Sequence, residues 1–156
     1  MTPDDLLALE EIRHVLSTYT MAGDRGRINE LISAFADDGI LEFGGTQHKG
    51  HAAIAAALTP AVADKRAALA STGNPPPFVR HNLTSCRIEL RGSVDADGWT
   101  YFSVVTPIGL DHCGVYVDRF TKASGRWLLA HRRVKIDWRD PHSAMAPEPD
   151  RERAVP

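Results

Sequence analysis

Apolar positions recur at helical spacing at the start of the chain. Leu6, Leu9, Ile12, Leu16 and Tyr19 mark one side of DDLLALEEIRHVLSTYTMA, residues 4–22, and acidic residues occupy its first turn. The spacing predicts a helix closed by Gly23. DRGRINELISAFADDG predicts a short turn and then a second helix, with Ile28, Leu31, Ile32 and Phe35 on one side and Gly39 at its end. ILEF, residues 40–43, reads as a short strand running into a Gly-Gly turn. The alanine-rich GHAAIAAALTPAVADKRAAL is helical, with a break or restart at Pro60. STGNPPP is a loop.

From residue 78 the pattern becomes extended. Four segments, at roughly 78–91, 98–108, 111–122 and 126–138, are separated by RGSVDADG, PIGLD and KASGR. Short turns between successive strands imply an antiparallel meander. Helices first and a long sheet afterwards make an α+β fold, with helices gathered on one face of a curved sheet that encloses an interior. Alternation assigns the faces. His112, Gly114, Tyr116 and Asp118 share one face, and Cys113, Val115 and Val117 the other. Trp99, Tyr101 and Val105 oppose Phe102 and Val104. Leu128, Ala130, Arg132, Val134 and Ile136 oppose Trp127, Leu129, His131 and Arg133. A sheet apolar on both faces must be covered twice, so a homo-oligomer, dimer or trimer, is expected.

A length of 156 residues fits one domain with one core, at residues 1–139, followed by a polar, proline-rich tail at 140–156. Apolar residues make up 43% and charged residues 24%, the balance of a soluble globular protein. The formal net charge is −2 and the signs are mixed along the chain, which argues against nucleic acid and a membrane surface as partners. There is no long apolar run, and the acidic N-terminus lacks the pattern of a secretory signal, so a cytoplasmic location is expected. Cys86 and Cys113 form no C-x-x-C motif and read as two buried thiols.

Several polar residues stand where chemistry could use them. Asp24 follows the first helix and could equally be a cap or turn residue of the second. His81 opens the first long strand in PPPFVRHNLTS, where it could be a half-solvated strand end. His112 follows GLD and could belong to a turn. Arg132 lies on an apolar face, where a charge must be either a core ion pair or an anion holder in a pocket. Tyr19 and Tyr116 could be core aromatics. His48 and His51 are three apart in QHKGH but have no acid or thiol cluster beside them, so no metal is expected. No phosphate loop, nucleophile elbow or cofactor motif occurs. Reactions that only move protons need no cofactor, and none is expected.

The ordered set YTMAGD, FADDGIL, GHAAI, RHNL, HCGVYVD and RWLLAHRRV resembles the SnoaL-like domains of the nuclear transport factor 2-like superfamily. The similarity spans about residues 5–139 and is greatest to the branch of scytalone dehydratase, hexachlorocyclohexane dehydrochlorinase and ketosteroid isomerase. The resemblance implies a cone-shaped α+β barrel, a curved antiparallel sheet wrapped by N-terminal helices around a deep pocket. It implies an Asp24–His81 dyad, with His112 as a second histidine and Arg132 as a strand arginine, although Arg133 is one position away on the other face. Tyr19, Tyr116, Phe43 and Phe102 are the expected substrate-facing side chains.

A carboxylate bound to an imidazole fixes its tautomer and makes the other ring nitrogen the base. The implied activity is a cofactor-independent lyase of the dehydratase kind, or an isomerase or cyclase, acting on a small cyclic hydrophobic molecule. The alternative is a non-catalytic module that binds a ligand or joins a larger enzyme, as the small subunits of ring-hydroxylating oxygenases do.

Overall fold

Thr2 sets the start of the first helix. Its hydroxyl accepts from the Asp5 N–H at 3.2 Å, and the Asp5 carboxylate accepts from the Thr2 N–H at 2.6 Å. Together they form a reciprocal capping box. The helix, α1, runs Pro3–Asp24 and buries Ala8, Ile12, Val15, Leu16, Thr20 and Ala22. Leu6 is exposed, so the buried stripe starts later than the spacing predicts. The computed structural model describes residues 1–70 and 78–149. The predicted STGNPPP loop and the end of the tail lie outside the described residues.

The second helix is much shorter than its pattern suggests. α2 covers only Ile28–Ile32, and Phe35–Phe43 is strand β1. Gly39 is therefore not a helix end. A Cβ there would lie 2.8 Å from the Leu129 carbonyl oxygen and 2.9 Å from that of Ala36, so the position is one of close backbone approach. Strand β2, Thr46–Lys49, completes a hairpin. Helix α3, His51–Ala70, continues through Pro60 rather than breaking there.

Four strands follow: β3 Arg80–Leu90, β4 Asp95–Thr106, β5 Gly109–Ala123 and β6 Arg126–Arg139. They pair as the predicted antiparallel meander. The sheet has the order β2-β1-β6-β5-β4-β3. Because β1 lies parallel to β6, the sheet is mixed, curved and open. The helix α1 packs on β6 and β3, while α3 packs on β1 and β2. This is the α+β cone expected from the sequence.

Bulges bend the long strands. Val104 faces His112 while Val105 faces Leu110, which leaves Asp111 as the extra residue of β5. Arg119 faces His131 while Phe120 faces Leu129, which leaves Ala130 as the extra residue of β6. An extra residue on one strand resets which face the following side chains take. Trp127 and Leu129 consequently lie in the core together with Arg132 and Ile136, not opposite them as strict alternation predicts. Gly114 faces Ile136 at a third such shift, and a Cβ there would meet the Lys135 carbonyl oxygen at 1.9 Å. Cys86, expected to be buried, is exposed on the edge strand β3 beside an irregularity between Leu83 and Cys86.

The main core gathers Ile12, Leu16, Phe35, Leu41, Ile54, Phe120, Trp127 and Leu129. A smaller cluster of Phe102, Val104, Tyr116 and Ile136 lines the inside of the cone. Tyr101, Leu110 and Trp138 are exposed. No helix among the described residues is long and apolar enough to cross a membrane.

Candidate active site

A cavity of about 130 Å³ opens inside the cone. Tyr19 from α1, Phe43 from β1, His81 from β3, Phe102 from β4, and His112 and Tyr116 from β5 face it. Residues 145–148 of the C-terminal segment close one side. A cavity of ~150 Å³ takes a benzene ring, and this one is of the same order. A larger groove of about 590 Å³ between α1 and β6 has no carboxylate-bound histidine on its walls.

Asp24 ends α1 and meets the start of β3. The His81 Nδ1–H donates to Asp24 Oδ1 at 2.6 Å, and the His81 backbone N–H donates to Asp24 Oδ1 and Oδ2 at 3.3 and 3.2 Å. The Asp24 side chain is 8% exposed and that of His81 22%. Asp24 caps no helix, because the N-cap of α2 is Arg27. The carboxylate thus holds both the backbone and the ring of His81. Nε2 is left as the ring nitrogen available to a molecule in the cavity.

His112 also has a carboxylate, Asp111, which no sequence pattern marks. The His112 Nδ1–H donates to Asp111 Oδ1 at 2.6 Å. Both side chains are buried. The His81 and His112 ring centroids are 6.3 Å apart, and each ring lies against Phe102. Neighbouring residues of a regular strand point to opposite faces, but the bulge at Asp111 lets adjacent side chains meet.

Arg132 is a core ion pair. Its Nε and Nη2 donate to the two Asp118 carboxylate oxygens at 2.9 and 2.7 Å, and both side chains are 0% exposed. The guanidinium carbon lies 4.2 Å from the Tyr19 ring centroid and 4.1 Å from that of Tyr116. Nη1 is buried with no hydrogen-bond partner among the described residues. Arg132 does not line the cavity; the two tyrosines between which it stacks do. Arg133 turns away and pairs with Glu42 at 2.9 Å.

Electrostatics separate these groups. Burial opposes the Arg132 charge, but the Asp118 carboxylate and the two tyrosines outweigh it and hold the guanidinium protonated. Burial lifts the Asp118 carboxyl above its ordinary range, against the pull of Arg132. Burial, with Tyr19 adding to it, pushes the Tyr116 phenol well above its ordinary value. Burial also raises Tyr19, while Arg132 pulls it down. Both phenols are therefore neutral hydrogen-bond donors at neutral pH.

His48 and His51 do not come together as a pair. The His48 ring packs on Phe43 with centroids 5.0 Å apart, and the His51 Nε2–H donates to the Phe35 carbonyl at 3.0 Å. Among the described residues, no group of three or more His, Cys, Asp or Glu is placed to hold a metal ion.

The chain belongs to the SnoaL-like domain family, which it matches over residues 4–133. Solved structures share the cone. A scytalone dehydratase-like protein from Novosphingobium aromaticivorans has a TM-score of 0.78 at 16% identity, covering 97% of this chain and 99% of that one. A hexachlorocyclohexane dehydrochlorinase from Novosphingobium barchaimii has a TM-score of 0.73 at 16% identity, covering 94% and 98%. A Mycobacterium tuberculosis protein of unknown function has a TM-score of 0.71 at 24% identity, covering 88% and 77%. At these identities the likeness establishes the fold. A search of curated proteins finds no match.

Proposed function

We propose that the protein is a cofactor-independent lyase of the dehydratase kind, or an isomerase, acting on a small cyclic hydrophobic substrate. Asp24 orients His81, and His81 Nε2 takes a proton from a carbon made acidic by a neighbouring carbonyl. The electron pair moves toward the carbonyl oxygen, and the neutral Tyr19 and Tyr116 hydroxyls are the donors that meet the developing enolate. Elimination follows if a leaving group sits on the next carbon. Isomerisation follows if the proton returns elsewhere. Arg132 does not touch substrate in this reading; paired with Asp118, it backs the Tyr19 and Tyr116 rings and fixes where their hydroxyls stand. The observation that carries the reading is the 2.6 Å Asp24–His81 hydrogen bond on the wall of an aromatic cavity. The dehydratase and dehydrochlorinase among the structural neighbours make elimination the first class to test.

The test uses 3-hydroxycyclohexanone, with enone formation followed by ultraviolet absorbance. Asp24→Asn and His81→Ala each lower the rate by about 10²–10⁴-fold, the range of a lost general base or its orienting carboxylate. Both variants stay folded. Full activity in both would rule the dyad out.

The exposed Tyr101, Leu110 and Trp138 support a second reading about assembly, that another copy of the chain covers the outer sheet face. Light scattering checks it. An oligomer that Tyr101→Asp with Trp138→Asp dissociates is expected, and a wild-type monomer contradicts it.

A further inference from the structure

The groove of about 590 Å³ is walled on one side by α1, where Leu7, Glu10, Glu11, His14 and Val15 come together at helical spacing. The start of β6 and the turn after α2 supply the rest of its wall. It shares no lining residue with the cavity that holds His81. Two polar atoms in this wall are buried and unmatched. Trp127 is 3% exposed, and its indole Nε1–H has no acceptor among the described residues. Glu11 Oε2 is buried and accepts from no donor among them. Glu10 differs, because its carboxylate meets Arg13 at 3.5 Å in the open.

A buried donor or acceptor left unmatched is costly, and folded proteins leave few of them. A bound molecule that offers an acceptor to Trp127 and a donor to Glu11 removes both costs. One water fills only ~30 Å³, whereas ligand pockets span about 300–1,000 Å³, and this groove falls in the second range. Its wall sets the carboxylates of Glu10 and Glu11 against the single guanidinium of Arg126, so a cationic donor fits it better than an anion. Leu7, 58% exposed, and the buried Val15 offer a surface to an apolar body.

We propose that this groove is a second ligand site, which takes an organic ammonium ion with an apolar body and an oxygen on the carbon next to the one that bears nitrogen. The ammonium donates to Glu11 Oε2. The oxygen accepts from the Trp127 Nε1–H, and the apolar body lies along Leu7 and Val15. The site binds and makes no covalent change. It stands apart from the reaction assigned to His81, because the two walls have no residue in common.

The test is a titration with three probes that share a phenyl group. They are 2-amino-1-phenylethanol, a cation at neutral pH, 1-phenylethane-1,2-diol, which is neutral, and mandelate, an anion. The readout is the assigned Trp127 indole N–H signal in nitrogen–proton correlation spectra. The amino alcohol is expected to shift that signal saturably, with a Kd of about 1 mM or tighter. The diol binds about tenfold more weakly, and mandelate leaves the signal in place. Glu11→Gln, on a partly exposed helix position, keeps the fold and weakens the amino alcohol by about tenfold. Asp24→Asn leaves its affinity unchanged. No saturable shift would mean that the groove holds water only, and would overturn the proposal. Equal binding of the diol, tighter binding of mandelate, or wild-type affinity in Glu11→Gln would overturn it as well. An affinity that falls in Asp24→Asn would put the probe in the His81 cavity and remove the second site.

Discussion

Two carboxylate–cation pairs touch the same tyrosine neighbourhood and differ in every respect that matters for chemistry. Asp118–Arg132 is bidentate and wholly buried, and its cation cannot lose its proton. Asp24–His81 has a single ring hydrogen bond on the cavity wall, one partner is partly open, and the basic partner is an imidazole rather than a guanidinium. The first pair fixes a charge and a packing arrangement. The second is the pair the proposed reaction uses. Inside one cone, burial and the identity of the basic partner separate a structural ion pair from the pair to which we assign the proton transfer.

The contrast breaks most visibly at Asp118. Asp118→Ala leaves Arg132 buried without its carboxylate, and a loss of ~3–5 kcal/mol in urea unfolding is expected. Replacing the pair together, Asp118→Leu with Arg132→Met, recovers most of that loss, because no unpaired charge then remains. A double variant as unstable as the single one would mean that the pair matters for more than charge matching.

A second prediction concerns Tyr116, which stacks on Arg132 and faces the cavity. Its phenol is held neutral in the folded state, well above its ordinary value of 10.0. Above about pH 10 the unfolded chain loses that proton while the folded chain keeps it. Stability therefore falls with rising pH there, by up to ~1.4 kcal/mol per pH unit for this one group. Below pH 10 the term is fully present and constant. Tyr116→Phe removes this share of the alkaline slope, which unfolding curves between pH 9 and 11 read directly.

The smallest expected effect on stability belongs to the pair expected to affect the rate most. Asp24→Asn keeps the shape of the side chain and an acceptor for the His81 backbone N–H, so its unfolding free energy stays within ~1 kcal/mol of wild type. A loss as large as that of Asp118→Ala would make Asp24 a structural residue and erase the distinction.

Periodicity made much of this arrangement legible. Alternation groups His112, Tyr116 and Asp118 on one face of β5 and Phe102 with Val104 on one face of β4, and all five are buried. The ordered weak motifs pointed to Asp24 and His81 together, although they are 57 residues apart. Features that depend on a broken period were hidden. The Ala130 bulge returns Trp127 and Leu129 to the core side, which no alternation rule anticipates. The Asp111 bulge makes neighbours in GLDH into partners, where a regular strand would separate them. Ile28, Leu31, Ile32 and Phe35 keep a helical spacing, yet Phe35 begins β1 because pairing with β6 and burial in the core outweigh local preference. The sequence leaves Arg132 open between ion pair and anion holder because its partner, Asp118, is on another strand and their register follows from the bulges.

The central claim is that Asp24 makes His81 a base for a ring held in the cavity. Its most direct test is the exchange of the α-hydrogens of cyclohexanone in deuterium oxide, followed by proton NMR, for wild type, Asp24→Asn and His81→Ala. This reaction needs the base alone and no leaving group. The account predicts exchange above the buffer rate with wild type and a fall to near the buffer rate in both variants. Exchange that is equal in all three proteins, or absent from wild type, would contradict it.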